Sequence, residues 1–328
     1  MSATTPYAGL TPDLLLAAVD SLGLRSDGRL LALNSFENRV YQVGLEDGSL
    51  LVAKFYRPDR WRDAAILEEH AFSLALAAQE IPVVAPLCLA GRTLHEHQGY
   101  RFALFPKQGG RSPELDRPEV LAWIGRFLGR IHALGAVQDY AARPVLDIAA
   151  FGEEPRRYLL AEGFVPEEML AVWRSVVDQA LDGVRRCFER AGPVRQLRLH
   201  GDCHVGNLLW TEQGPHFVDF DDSRMGPAVQ DLWMLLAGDE AAMGAQLGQL
   251  LGGYEMFAEF DDRELHLIEA LRTLRLIHYS AWIARRWQDP AFPAAFPWFG
   301  STRYWQDRIL ELREQVALMD EAPLQPRS

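Results

Sequence analysis

Four residues within one stretch have the types and spacing to do chemistry together. His200-Gly201-Asp202 is followed after four residues by Asn207, and Asp219 comes 12 positions later. An amide and a carboxylate held side by side suit a hard cation such as Mg²⁺. That ion takes oxygen ligands and usually completes its shell with substrate phosphates. A separate carboxylate, Asp202, suits a base that accepts a hydroxyl proton. The set as a whole suits transfer of a phosphoryl group to an alcohol.

The elements that must position these residues are a loop and a hairpin. Leu208 to Trp210 reads as a short strand, Gln213-Gly214-Pro215 as a turn, and His216 to Phe220 as a second strand carrying Asp219. If Trp210 faces His216 across a five-residue turn, counting back pairs Asn207 with Asp219. His200 braces the loop in this reading. Asp221 and Asp222 read as loop solvation, although they could assist a second metal.

With these residues quoted, a resemblance can be stated. His200-x-Asp202-x₄-Asn207 followed by Asp219 resembles the catalytic and metal loops of the aminoglycoside-phosphotransferase and choline-kinase-like superfamily. The longer strings HGDCHVGNLLW and VDFDDSRMGPAVQDLWMLL, with LNSFENRVYQV and ILEEHAF upstream, resemble a bacterial serine/threonine protein-kinase branch of it linked to stress response. The resemblance implies ATP as co-substrate, Mg²⁺ as cofactor, Ser/Thr residues of proteins as acceptors, and autophosphorylation. It implies Asp202 as base and Asn207 and Asp219 as metal ligands.

Upstream candidates follow. Lys54, in the apolar run Leu51 to Phe55, resembles the strand lysine that contacts the α- and β-phosphates of ATP. Taken alone it reads equally as a surface lysine snorkelling from a half-buried strand. Either Glu68 or Glu69 would pair with it. Glu69 is preferred, because Phe72 and Leu76 lie at i+3 and i+7 from it and share its inward side. Ser35, in the loop LNSFENRVY, stands where a phosphate-covering loop is expected, although a polar turn there would explain the same composition. No G-x-G-x-x-G or Walker A motif is present. Asp231 either accepts backbone N–H groups of the catalytic loop or is an ordinary first-turn aspartate. RFALFPK, 101 to 107, resembles the strand whose backbone meets adenine.

Composition narrows the partners. The chain has 328 residues, 48% apolar and 24% charged, as expected of a globular protein with one large domain or two lobes. Its net charge of −12 argues against nucleic-acid or anionic-membrane binding. Three scattered cysteines, the lack of a leader-like N-terminus and the lack of a long apolar run give the expectation of a cytoplasmic protein with no membrane partner; a monomer is a separate expectation that none of these features decides. Zinc is not favoured, because it takes about four N/S ligands and no C-x₂-C pair accompanies His200, Cys203 and His204.

The periodicities predict an α+β, bilobal protein-kinase-like fold. A helix from Thr11, strands at 29–33, 39–43 and 49–56, a helix over 61–80, and strands at 87–94 and 100–105 make a small β-rich N-terminal lobe, residues 1–106. Residues 107–328 make a larger, mostly helical catalytic and substrate lobe. Its helices are expected at 119–134, 166–189, 227–236, 265–287 and 304–318. The active site is expected in the cleft between the lobes. Two other readings stay open at this point. One is a small-molecule kinase acting on an amino alcohol, homoserine or an aminoglycoside, with Asp221, Asp222, Asp239 and Glu240 available for a cationic acceptor. The other is a nucleotide-binding regulator without transfer activity.

Overall fold

The computed structural model describes residues 6–327. Thr11 caps helix α1 (Pro12–Asp20), its hydroxyl accepting from the Leu14 N–H. Strands β1 (Ser26–Ala32), β2 (Arg39–Leu45) and β3 (Leu50–Phe55) precede helix α2 (Asp63–Ala78), and β4 (His95–His97) and β5 (Tyr100–Pro106) follow it. The remainder runs α3 (Pro118–Gly135), α4 (Glu154–Ala161), α5 (Glu167–Ala191), β6 (Leu197–Arg198), β7 (Leu208–Thr211), β8 (Gly214–Phe217) and β9 (Met225–Gly226). It ends with α6 (Gln230–Trp233), α7 (Glu240–Tyr254), α8 (Ile268–Arg285), α9 (Ala291–Ala295) and α10 (Thr302–Leu318).

The chain forms two compact units. One comprises 1–114, 140–143 and 205–223, and the other 115–139, 144–204 and 224–328. This differs from a single division at 106/107, because the β7–β8 hairpin belongs with the small sheet. Hydrogen bonds explain why. Arg111 and Trp210 exchange N–H···O bonds of 3.0 and 2.7 Å, and Phe217 is bonded to Pro82 and Val84 on its other side.

The first unit carries an antiparallel sheet in the order β1-β2-β3-β5-β4. α1 buries Leu15, Ala18 and Val19 against Val43, Leu51, Phe55, Phe102 and Leu104 of that sheet. Phe55 and Phe102 stack at 5.2 Å, which fixes β3 against β5. The expected strand at 87–94 is not formed. Tight turning at Ala90-Gly91, where Leu89 and Arg92 bond to each other, interrupts it, and the edge strand is β4 instead.

The second unit is helical. Its main core joins α4, α5, α8 and α10 around Trp173, Leu181, Leu274, Phe292, Phe299 and Trp305. Helix α7 was not expected, since its sequence EAAMGAQLGQLLGGY is rich in glycine. Those glycines serve close packing. A Cβ at Gly253 would sit 2.0 Å from the Ala122 carbonyl oxygen, and one at Gly125 of α3 would sit 2.0 Å from that of Leu250. The expected helix at 227–236 shrinks to the single turn of α6.

Candidate active site

In the first unit, the ends of β3 and of the β7–β8 hairpin bring Lys54 to two carboxylates. Lys54 is buried, and its Nζ lies 2.7 Å from Asp219 and 3.4 Å from Asp221. Burial alone would lower the pKa of this ammonium. Asp219, Asp221 and Glu69 outweigh burial and hold it above its ordinary value. Lys54 is therefore charged at any physiological pH.

The hairpin register is tighter than the sequence suggested. Thr211 pairs with Gly214, Trp210 with Pro215 and Leu209 with His216, so only two residues turn the chain. Asn207 consequently stands level with Val218, whose N–H donates to its carbonyl at 3.0 Å, and not with Asp219. Asp219 lies just past the strand with φ of +62°, a left-handed conformation that aspartate tolerates better than most residues. Asn207 ends a 3₁₀ turn over Val205–Asn207. The amide and the carboxylate are thus neighbours along the hairpin base, one register step apart.

Asp221 is not a solvated loop residue. It is 3% exposed, and its carboxylate takes Lys54, the Asn38 amide at 3.1 Å and the Arg60 guanidinium. Arg60 also reaches Asp222 at 2.9 Å. Burial would raise the pKa of Asp221, but Arg60 and Lys54 together hold it below the usual carboxylate range. No local pattern signals this cluster, because Asn38 and Arg60 come from loops far away in the chain.

The two candidate glutamates part company. Glu69 is buried, with Ser73 Oγ at 3.3 Å and His70 Nε2 at 3.7 Å, and it lies beyond ion-pair distance of Lys54. Burial pushes it up to about 7, with Lys54 and Arg143 opposing. Its neighbour Glu68 instead accepts the N–H groups of Ala141, Ala142 and Arg143 at 2.8, 2.9 and 3.1 Å. Arg143 then donates to the carbonyls of Asp221 and Ser223 at 2.8 and 2.7 Å. Glu68 therefore supports the turn that carries Asp221. Ser35 is half-buried in the loop between β1 and β2.

In the second unit, Asp202 lies on a braced loop. The Asp231 carboxylate accepts the His200 N–H at 2.7 Å and the Gly201 N–H at 2.8 Å. Buried His132 meets the same carboxylate at 3.0 Å, and the Tyr254 hydroxyl holds the other ring nitrogen of His132. Asp231 is thus a brace and not merely a first-turn aspartate. Gly201 has φ of +86°, which a side chain would strain, so the backbone can turn sharply before Asp202. Asp202 is half-buried and ion-paired to Arg275 at 2.6 Å, a partner on α8 that the sequence did not reveal. Cys203 is buried, and burial pushes its thiol well up, which suits packing and not nucleophilic attack.

Of the candidates, Ser35, Lys54, Glu69, Asn207 and Asp219 fall in the first unit and Asp202 in the second. Among the described residues, no group of three His, Cys, Asp or Glu side chains is placed to cage a metal. One amide and one carboxylate instead fit a hard ion that takes few protein ligands and finishes its shell on phosphates.

Fold and residues define a class, a kinase-like phosphotransferase. The model of the phosphotransferase enzyme family matches residues 29–268, and the chain belongs to that family. Among individual relatives, stress response kinase A of Escherichia coli (strain K12) is 46% identical over 319 residues, 97% of this chain and 96% of that one. Serine/threonine protein kinase RdoA of Salmonella typhimurium (strain LT2) is 45% identical with the same coverage. Among solved structures, amicoumacin kinase hAmiN in complex with AMP-PNP, Ca²⁺ and Ami superposes with a TM-score of 0.72 over 95% of both chains at 19% identity. The microcompartment-associated aminopropanol kinase gives 0.66 at 21% identity, over 93% of this chain and 96% of that one. These structural likenesses establish the bilobal α+β kinase-like fold.

Proposed function

We propose that this phosphotransferase is an ATP- and Mg²⁺-dependent kinase that phosphorylates serine and threonine hydroxyls of proteins, itself included, in a response to stress. The observation that carries the reading is the buried Lys54 ammonium ion-paired to Asp219. It keeps a fixed positive charge beside the carboxylate that would face the phosphates. The choice of acceptor draws on the relative named a serine/threonine protein kinase, which matches along nearly the whole chain.

Roles follow from residue chemistry. The Asp202 carboxylate orients the acceptor hydroxyl and takes its proton. Asn207 and Asp219 would hold Mg²⁺, which supplies neutralising charge to the β- and γ-phosphates when bound. Lys54 offsets charge on the α- and β-phosphates, and the Ser35 hydroxyl donates to a phosphate oxygen. Glu69 contributes negative potential at Lys54. Asp231 keeps the loop in place so that the Asp202 carboxylate is preorganised. Most of the rate then comes from positioning and charge stabilisation.

Among the described residues, no helix is long and apolar enough to cross a membrane. A cytoplasmic monomer is part of the proposal. A second reading is a small-molecule kinase, favoured by the names of the two structural neighbours, an amicoumacin kinase and an aminopropanol kinase. A regulator without transfer is less consistent with an intact set of Lys54, Asp202, Asn207 and Asp219. The deciding experiment offers γ-labelled ATP and Mg²⁺ to the protein alone, to protein substrates and to a panel of small alcohols. Label on protein supports the proposal. Label confined to a small alcohol contradicts it.

A further inference from the structure

The second unit contains a cavity of about 480 Å³ whose wall includes Trp233, Met234, Met243, Arg272, Arg275 and Tyr279. One of these, Arg275, is the ion-pair partner of Asp202. The cavity therefore opens beside the proposed base, at the place where an acceptor would bring its hydroxyl. No lining residue is acidic. Two guanidiniums face it, and the Arg272 guanidinium also lies over the Trp233 ring at 5.5 Å. Glu269 holds Arg272 at 3.2 Å from the same helix. The Tyr279 ring stacks on Trp282 at 5.7 Å. Its hydroxyl has no hydrogen-bond partner among the described residues, so it is available to a ligand.

A cationic acceptor needs carboxylates, and those the sequence offered are engaged. Asp221 and Asp222 are held by Arg60, with Lys54 also on Asp221. Asp239 caps α7 by accepting the Ala242 N–H at 2.8 Å. Glu240 pairs with Arg327 at 3.3 Å. Charge complementarity thus favours an anionic acceptor over an amino alcohol or an aminoglycoside.

Building on the kinase reading above, we propose that this cavity is the acceptor pocket and selects serine or threonine flanked by acidic side chains in a peptide segment. An acceptor carboxylate that engages Arg275 competes with Asp202 for that guanidinium. It thereby frees the Asp202 oxygen to take the hydroxyl proton. The Met and Trp walls receive the aliphatic part of the segment, and Arg272 receives a second acidic group.

The test measures transfer from γ-labelled ATP with Mg²⁺ to three pools of Ser/Thr peptides, flanked by Asp and Glu, by Ala, or by Lys and Arg. The expected order of kcat/KM is acidic, neutral, basic, with the extremes separated by about tenfold or more. Arg272→Glu should bring the acidic-to-basic ratio to about one or below, chiefly through a raised KM for the acidic pool. Arg272→Gln should fall between, and a thermal melt checks that each variant is folded. Preference for the basic peptides overturns the proposal, as does a ratio that folded Arg272→Glu leaves unmoved. In both cases phosphoryl transfer itself stands. Absence of label from every acceptor, and from the protein, instead overturns the kinase reading beneath it.

Discussion

Arg60 shows how much a single side chain carries in the first unit. Its guanidinium neutralises two carboxylates, one of them, Asp221, nearly inaccessible to water. Removing Arg60 leaves buried Asp221 with Lys54 and the Asn38 amide alone. Arg60→Ala should therefore lower stability by about 1–3 kcal/mol in urea unfolding. Glu69 gives a pH signature. Its carboxyl is raised by burial to about 7 from an ordinary value of 4.5. A raised carboxyl contributes stability below the unfolded pKa and loses it as pH rises through the folded one. Wild-type melting temperature should thus fall between pH 5 and pH 8. Glu69→Gln, which has no proton to lose, should show a smaller fall, and equal slopes would refute the assignment. Asp221 runs the other way. Its depressed carboxyl gives stability above the ordinary carboxylate range that is lost on acidification. At this scale the sequence was legible where residues lie close along the chain. Asp202, Asn207 and Asp219 could be picked out by spacing alone, whereas Arg60, Arg275 and His132 could not. The latter reach their partners across gaps of 161, 73 and 99 residues. Electrostatic partners assembled by folding leave no local pattern.

Helices α3 and α7 approach so closely that backbone meets backbone at Gly125 and Gly253. Gly253→Ala should cost about 1–3 kcal/mol, even though alanine favours the isolated helix, because a carbonyl 2.0 Å away must shift. Calorimetry would read it, and a neutral or stabilising result would refute the close packing. The same glycines made α7 illegible in the sequence, since helical periodicity is judged by apolar side chains and here much of the contact is backbone. The strands at 39–45 and 50–55 were legible because two runs with Val, Tyr and Phe flank an Asp-Gly turn. The β7–β8 hairpin was legible as a hairpin but misread by one position. Its turn is two residues long, and the Gly-Pro that suggested a longer one lies within β8. The Asp231 brace is an element-scale device too, tying α6 to the loop before Asp202 through two backbone N–H groups. Asp231→Ala should strand both donors and reduce kcat more than ATP affinity, with a loss of stability of about 1–3 kcal/mol per donor. A selective loss of ATP affinity would contradict this role.

Across the whole molecule, a net charge of −12 coexists with positive charge concentrated where the proposed chemistry needs it. Lys54, Arg57 and Arg143 are buried and Arg60 is largely buried in the first unit, and Arg272 and Arg275 line a cavity in the second. The two-lobe kinase fold was legible from the switch between strand and helix periodicities and from the resemblance around Asp202. The assignment of the hairpin to the smaller unit was not, because it depends on hydrogen bonds from Arg111 and Pro82 to residues about 100 or more positions away. The central claim is that Asp202 accepts the acceptor proton in a transfer whose nucleotide is held elsewhere, by Lys54, Asn207 and Asp219. Single-turnover transfer and Mg²⁺·ATP affinity, measured side by side for wild type and Asp202→Asn, test it most directly. The account predicts unchanged ATP affinity with transfer slowed about 10²–10⁴-fold in the variant. Transfer at the wild-type rate in Asp202→Asn would contradict it.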